Sequence, residues 1–423
     1  MANPPEGPSP QAVRARRDKI LLIFFVVEIV CLTLLQKIGY APSPDSSVGL
    51  CLLAMLVGIA VVGALVPPIF DPVKLGLFFA FLLTASLSTF LQKGTYSSLG
   101  FILMLLCYVP FLVTFPISKA THRKALNIFS TIMIVGGALA IAEDLVQYAA
   151  SWRLWPNLDL MLPEKMLVSG YVYVQKISPF SIYMKPNGVF FLEVSFLSQF
   201  TAIALALELI YFRRAWRLAF FGVVLISCFA GTGLMLLGLT LPVLMGRLSI
   251  RSMTMIIVLL TVAGLVAVVT GWYDQIAPRI TEYQHHGSSA NFRFVEPYIK
   301  LLEFSKTPSA LYLGIGPGNI SKAANYIWWP VTKAAVEYGY LAAALFYSFF
   351  LYAMFKNAPD RKISFMLCVW FSIMGGLAVP VNTLTCALLC SLFKVEEGRQ
   401  RRRRSSATDG GSASAAAMPA AVA

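Results

Sequence analysis

Arg14-Ala15-Arg16-Arg17-Asp18-Lys19, then Ile20-Leu21-Leu22-Ile23-Phe24-Phe25-Val26-Val27-Glu28-Ile29-Val30-Cys31-Leu32-Thr33-Leu34-Leu35, sets the architecture of the chain. A cluster of cations abuts an apolar run that, as a helix rising about 1.5 Å per residue, crosses most of a hydrocarbon layer about 30 Å thick. The run is long for the core of a signal peptide and no small-residue cleavage site follows, so it reads as a retained membrane helix. The basic cluster places its start on the cytoplasmic side. Residues 1–13, rich in Pro and small polar side chains, lack the apolar surface to fold, so residues 1–19 read as a disordered cytoplasmic arm.

Working outward, the same alternation repeats. Apolar runs near 48–66, 73–91, 99–115, 126–148 and 189–212 are separated by short polar joints. Leu218 to Gly246 is long for one span, yet halved it gives helices of only about 22 Å. Arg213, Arg214 and Arg217 before it and Arg247 and Arg251 after it belong on one side, which favours a hairpin turning at Gly231-Thr232-Gly233. Further runs near 253–271, 331–355, 363–380 and 382–394 follow, the last two joined by a turn around Pro380 and Asn382. The expected architecture is an all-α, polytopic membrane domain over 20–394 with about twelve helices and both termini cytoplasmic. Larger outer loops occupy 149–188 and 272–330, and 395–423 reads as a disordered basic tail.

Composition agrees. Of 423 residues, 58% are hydrophobic and the mean hydropathy is +0.73, well above a soluble domain. The net charge of +14 would suggest nucleic acid in a soluble protein. Here the cations punctuate apolar runs and report topology instead, and no nucleic-acid partner is expected. The 7 cysteines all fall in apolar runs without metal-ligand spacing and read as small buried hydrophobes.

Chemistry is therefore sought in the polar interruption from Trp272 to Trp329, which carries Arg279, Glu282, His285, His286, Arg293, Glu296 and Gly314-Ile315-Gly316-Pro317-Gly318. Arg293, within Asn291-Phe292-Arg293-Phe294, offers a planar, permanently charged fork suited to phosphate oxygens. The glycine run lacks the strand and helix of a dinucleotide fingerprint; its glycines fit a close backbone turn, with Asn319 opening a short helix whose amides could face a phosphate. The two histidines have no metal spacing, so no metal or cofactor is expected. Glu143, Asp144 and Glu193 lie near the outer ends of their helices, where carboxylates suggest a wet cavity, or else pairing with Arg153, Lys185 or Arg279 at the rim. Glu28, midway along the first run, is the main support for a transporter reading.

Pro186-Asn187-Gly188-Val189-Phe190-Phe191-Leu192-Glu193-Val194-Ser195-Phe196-Leu197-Ser198-Gln199 resembles the O-antigen and exopolysaccharide polymerases of the O-antigen ligase-polymerase superfamily, with Val194 in place of their usual proline. The likeness continues in order through Gly231-Thr232-Gly233, Asn291-x-Arg293, the Gly314 to Asn319 run, and Lys333 with Glu337-Tyr338-Gly339. It implies a GT-C-like fold and a metal-independent, inverting glycosyltransferase at the outer face of the bacterial inner membrane. Such an enzyme joins undecaprenyl-diphosphate-linked glycans into a cell-surface or exopolysaccharide, with membrane lipids, a flippase and a chain-length regulator as partners. Ligases of the superfamily carry a His-Asn pair shortly before the acid of the Glu-x-Gly element, where this chain has Trp328 and Trp329. That departure favours polymerase over ligase. The expected catalytic set is Arg293 and Arg279 on the diphosphate and Glu193 at the acceptor hydroxyl; Lys185, Asn187, Asn291, Gly316, Gly318, Lys333 and Trp328 are expected around the substrate. The alternative of another class is a transporter or flippase of a lipid-linked or anionic substrate, which would favour internal repeats; none is evident between the two halves.

Overall fold

The computed structural model describes residues 9–43, 46–92, 96–177, 181–245, 289–320 and 328–396, with isolated positions 254, 258, 261, 265 and 269. The chain is mostly helical. In order come α1 (Pro10–Leu34), the hairpin of β1 (Gly39–Ser43) and β2 (Ser46–Gly49), α2 (Leu50–Leu65), β3 (Ile69–Phe70), α3 (Pro72–Leu91), α4 (Ser98–Tyr108), β4 (Val113–Ser118) and α5 (Lys119–Ala149). Then follow α6 (Leu158–Met161), α7 (Val194–Leu207), α8 (Ala215–Ser227), α9 (Gly231–Met245), α10 (Ser289–Phe294), α11 (Glu296–Ser305), α12 (Pro330–Tyr338), α13 (Tyr340–Lys356), α14 (Arg361–Met374), α15 (Pro380–Cys386) and β5 (Phe393–Glu396).

Among the described residues three helical segments, Pro72–Leu91, Lys119–Ala149 and Val194–Phe212, are long and apolar enough to cross a membrane. Local sequence explains their limits. At α3, Pro72 pre-sets the first turn and the Asp71 carboxylate accepts the Val73 and Lys74 amides at 2.9 and 3.2 Å. At α5, Ser118 caps Thr121. α7 ends differently: Glu208–Phe212 widens into a π turn and stops at Arg213, whose φ of 57° is left-handed.

The described helices depart from simple spans in several places. The apolar run at 331–355 is two helices meeting at Gly339, where φ is 90° and a Cβ would lie 2.9 Å from the Tyr312 carbonyl carbon, so only glycine fits. The hairpin between α8 and α9 turns at 228–230, and Gly231-Thr232-Gly233 forms the first turn of α9. Likewise 375–379 makes the turn before α15, which Pro380 opens. The expected helix at 253–271 lies largely outside the described residues. Among the described residues two small sheets interrupt the all-helical pattern: β1 pairs with β2, and β3 lies antiparallel to β4, which runs parallel to β5 with Phe115 opposite Phe393. Pro116 cannot continue a helix, and the Val-Thr-Phe sequence before it suits an extended strand.

Chain ends gather at the two ends of α5. At its start, Thr121 donates to Asp18 (3.0 Å), Arg17 forks onto Glu396 (3.0 and 2.9 Å), and Tyr211 donates to Asp360 (3.2 Å). At its finish, Gln147 accepts the Met184 amide (2.8 Å). The segments that charge assigns to the cytoplasm thus share the first end, and loop 149–188 occupies the other. Between them runs one apolar core in which α1 packs on α2 and α5, α7 on α8 and α9, and α3 on α13.

Candidate functional site

Glu193 sits at the mouth of α7 as its N-cap residue, half-buried and in extended conformation. One carboxylate oxygen accepts the Val172 amide at 3.1 Å and the other the Ser195 hydroxyl at 3.2 Å. The same helix is locked from the other side: Ser198 accepts the Gly233 amide at 3.1 Å, and a Cβ on Gly233 would collide with Ser198. Farther in, Gln199 accepts the Trp370 indole at 2.7 Å. These bonds fix where Glu193 points.

Loop 149–188 is held over this mouth by buried polar contacts. Glu143 accepts the amides of Asn187 and Gly188, each at 3.0 Å, rather than pairing with Arg153 or Lys185 in a rim salt bridge. Asn187 spends its side chain on the loop, donating to Tyr173 O at 2.8 Å and accepting the Val189 amide at 3.0 Å. It is therefore a scaffold residue, and Gly188 and Val189 take positive φ so the chain can fold back over it. Lys37, wholly buried, pairs with Asp159 at 2.9 Å and lies over the Tyr173 ring. Burial pulls the Lys37 ammonium down while Asp159 pulls it back up. Burial raises the Tyr173 hydroxyl to about 12, with Asp159 and Glu193 adding to the shift.

The second half comes from the glycine run. Gly314 donates to Ser88 Oγ (3.0 Å), Ile315 to Val336 O (2.8 Å), Gly316 to Glu337 O (3.0 Å) and Gly318 to Glu337 Oε1 (3.1 Å). Lys333 approaches the same carboxylate at 3.8 Å, one helical turn away. The run thus clasps the Glu337-Tyr338-Gly339 element, and these amides bind protein rather than facing a ligand. Gly316 and Gly318 have φ of 89° and 80°, which explains glycine there. Trp328 is buried with Ile320 and Val336 in a small apolar cluster, so it packs rather than offering a stacking face; Trp329 meets Phe294 edge-on.

Arg293 lies on α10, half-buried, and its Nε has no hydrogen-bond partner among the described residues. Burial lowers its guanidinium while the charge of Glu193 raises it, so residues a hundred positions apart in sequence share one electrostatic neighbourhood. Asn291, also buried, accepts the Val295 amide at 3.0 Å through its carbonyl. Lys185 joins the loop through its backbone, donating to Gln175 O at 2.7 Å. Arg279, Glu282, His285 and His286 lie outside the described residues. Lys37, Asp159 and Tyr173, whose pairing crosses more than a hundred positions, carry no signal in the sequence, and Glu208 is fully buried beneath Ser130, Arg214 and Arg217. Only Glu208 left a signal, as a carboxylate inside an apolar run.

The site can thus offer a donor-fixed carboxyl group within electrostatic reach of a partly desolvated guanidinium, with a tied loop over the carboxyl. Comparison with protein-family models, with curated proteins and with solved structures finds no match.

Proposed function

We propose that the chain is a multi-pass inner-membrane glycosyltransferase that polymerises undecaprenyl-diphosphate-linked repeat units at the outer face. The observation that carries this reading is the shared neighbourhood of Glu193 and Arg293, drawn from the two segments that resemble the polymerase motifs. Transfer from a lipid diphosphate builds negative charge on the leaving group, which a guanidinium in a partly desolvated site stabilises. The acceptor hydroxyl needs a base or an oriented partner, and Glu193 presents a carboxyl group with both oxygens aimed by donors. In this reading Lys37, Asp159, Glu143 and Asn187 hold the loop, and Glu337 with Gly316 and Gly318 holds the floor.

The test is Arg293→Ala in cells making the polysaccharide. The inserted protein and exported single units persist while long chains disappear. Unchanged chain length with Arg293 removed would exclude the reading. A transporter would instead lose the exported single units.

A further inference from the structure

At the end of the molecule opposite Glu193, a cleft of about 1130 Å³ opens between segments remote in sequence: the start of α5, the π turn after α7, the end of α9, the joint between α13 and α14, and β5. Its cationic side chains are Lys119, Arg123, Arg213, Lys356, Lys362 and Lys394. Two carboxylates face them, and both are already engaged. Glu396 is bound by Arg14 and Arg17 (3.0 and 2.9 Å), and Asp360 accepts the Lys362 amide (2.8 Å) and the Tyr211 hydroxyl. Lys362 already donates to Leu244 O (2.7 Å) and Arg123 to Tyr211 O (2.8 Å), whereas among the described residues Lys119, Arg213 and Lys394 form no ion pair.

Two further observations separate this cleft from an ordinary basic membrane rim. His122 lines it while only 5% exposed, and its Nε2 has no hydrogen-bond partner among the described residues. Arg213 holds a left-handed backbone at the end of the π turn, where its amide donates to Glu208 O at 2.5 Å. The floor is apolar, through Leu209, Ile210 and Leu244, so the cleft combines a greasy base with a cationic rim. The chain's own continuation does not suit it, because the sequence after Glu396 adds Arg399 and Arg401 to Arg404.

We propose that this cleft binds a multiply charged phosphate ligand, its phosphates held by Lys119, Arg213 and Lys394 and its apolar part resting on Leu209 and Leu244. Phosphate is the anion whose charge density matches several converging Lys and Arg side chains. A soluble polyphosphate and an anionic phospholipid headgroup share that chemistry. The site stands apart from the proposed transfer reaction and does not depend on it.

Full-length protein in neutral detergent is titrated with inorganic triphosphate, and in bilayer discs is assayed by native mass spectrometry for retention of phosphatidylglycerol over phosphatidylcholine. The variant combines Lys119→Gln, Arg213→Asn and Lys394→Gln; Lys165→Ala with Lys176→Ala, in loop 149–188, is the control. Triphosphate binding that the triple variant weakens by about tenfold or more, and that steepens as salt falls, identifies a soluble ligand. Phosphatidylglycerol retention lost in the triple variant, without triphosphate binding, identifies the lipid. Wild-type protein that binds neither probe, or a triple variant equal to wild type in both assays, overturns the proposal. Should the triple variant fail to fold, Lys119→Gln and Lys394→Gln singly, both at exposed positions, are read the same way.

Discussion

Gly318 donates its amide to the carboxylate of Glu337 at 3.1 Å, while Gly316 donates to the carbonyl of the same residue at 3.0 Å. Two motifs that read as separate signals are therefore one object, a glycine clasp around the end of α12. It ties the loop through 314–318 to the end of α12 and, through Ser88, to α3.

Gly314→Ala tests the clasp. A methyl there overlaps the Glu337 backbone, which cannot swing aside, so the expected cost is about 1–3 kcal/mol. Thermal melting in detergent checks it. Glu337→Gln keeps an acceptor for Gly318 and loses only the distant Lys333 charge, so its melting point falls less than that of Gly314→Ala.

Glu193→Gln separates chemistry from folding. The amide still accepts from Val172 or Ser195, so the protein melts near wild type. If Glu193 serves as the base, polymer formation falls by about 10²-fold or more. Full activity in the isosteric variant removes Glu193 from that role.

Lys37 and Asp159 form a buried pair whose members are not equivalent to a surface bridge. Lys37→Met leaves a carboxylate short of its partner, and Asp159→Asn leaves an ammonium wholly enclosed; each is expected to cost about 3–5 kcal/mol. The combined Lys37→Met, Asp159→Leu variant should recover much of that loss. Equal destabilisation by single and double variants, measured by melting, would show that the pair itself is not what anchors the loop.

Glu396 supplies a pH dependence. The Arg17 hydrogen bonds hold its carboxyl below the ordinary value of 4.5, with the Arg14 and Arg17 charges adding to the effect. A depressed folded value gives stability that is present above pH 4.5 and lost as pH falls through the folded value. The pair is partly solvent-screened, so the contribution is about 1 kcal/mol or less. In Glu396→Gln the melting point at neutral pH drops slightly, and the difference from wild type narrows as pH falls below 4.5.

The sequence alone determined where apolar helices begin. The Asp71-Pro72 cap and the run after it locate α3, and the long runs at 126–148 and 189–212 locate α5 and α7, because transfer of an apolar run from water is a local property of its residues. It also marked Glu193, Arg293 and the glycine run as one ordered set. The tertiary structure alone decided that the helix through 331–355 breaks at Gly339, that β4 pairs with β5, that Lys37 meets Asp159, that Asn187 bonds to its own loop, and that Glu337 receives the glycine run. It also brought Lys119, Arg213 and Lys394 to one cleft. Each of these outcomes joins segments distant in the chain, and such a contact depends on which surfaces close together and which donors find acceptors there, a property of the packed whole that no single stretch of residues carries.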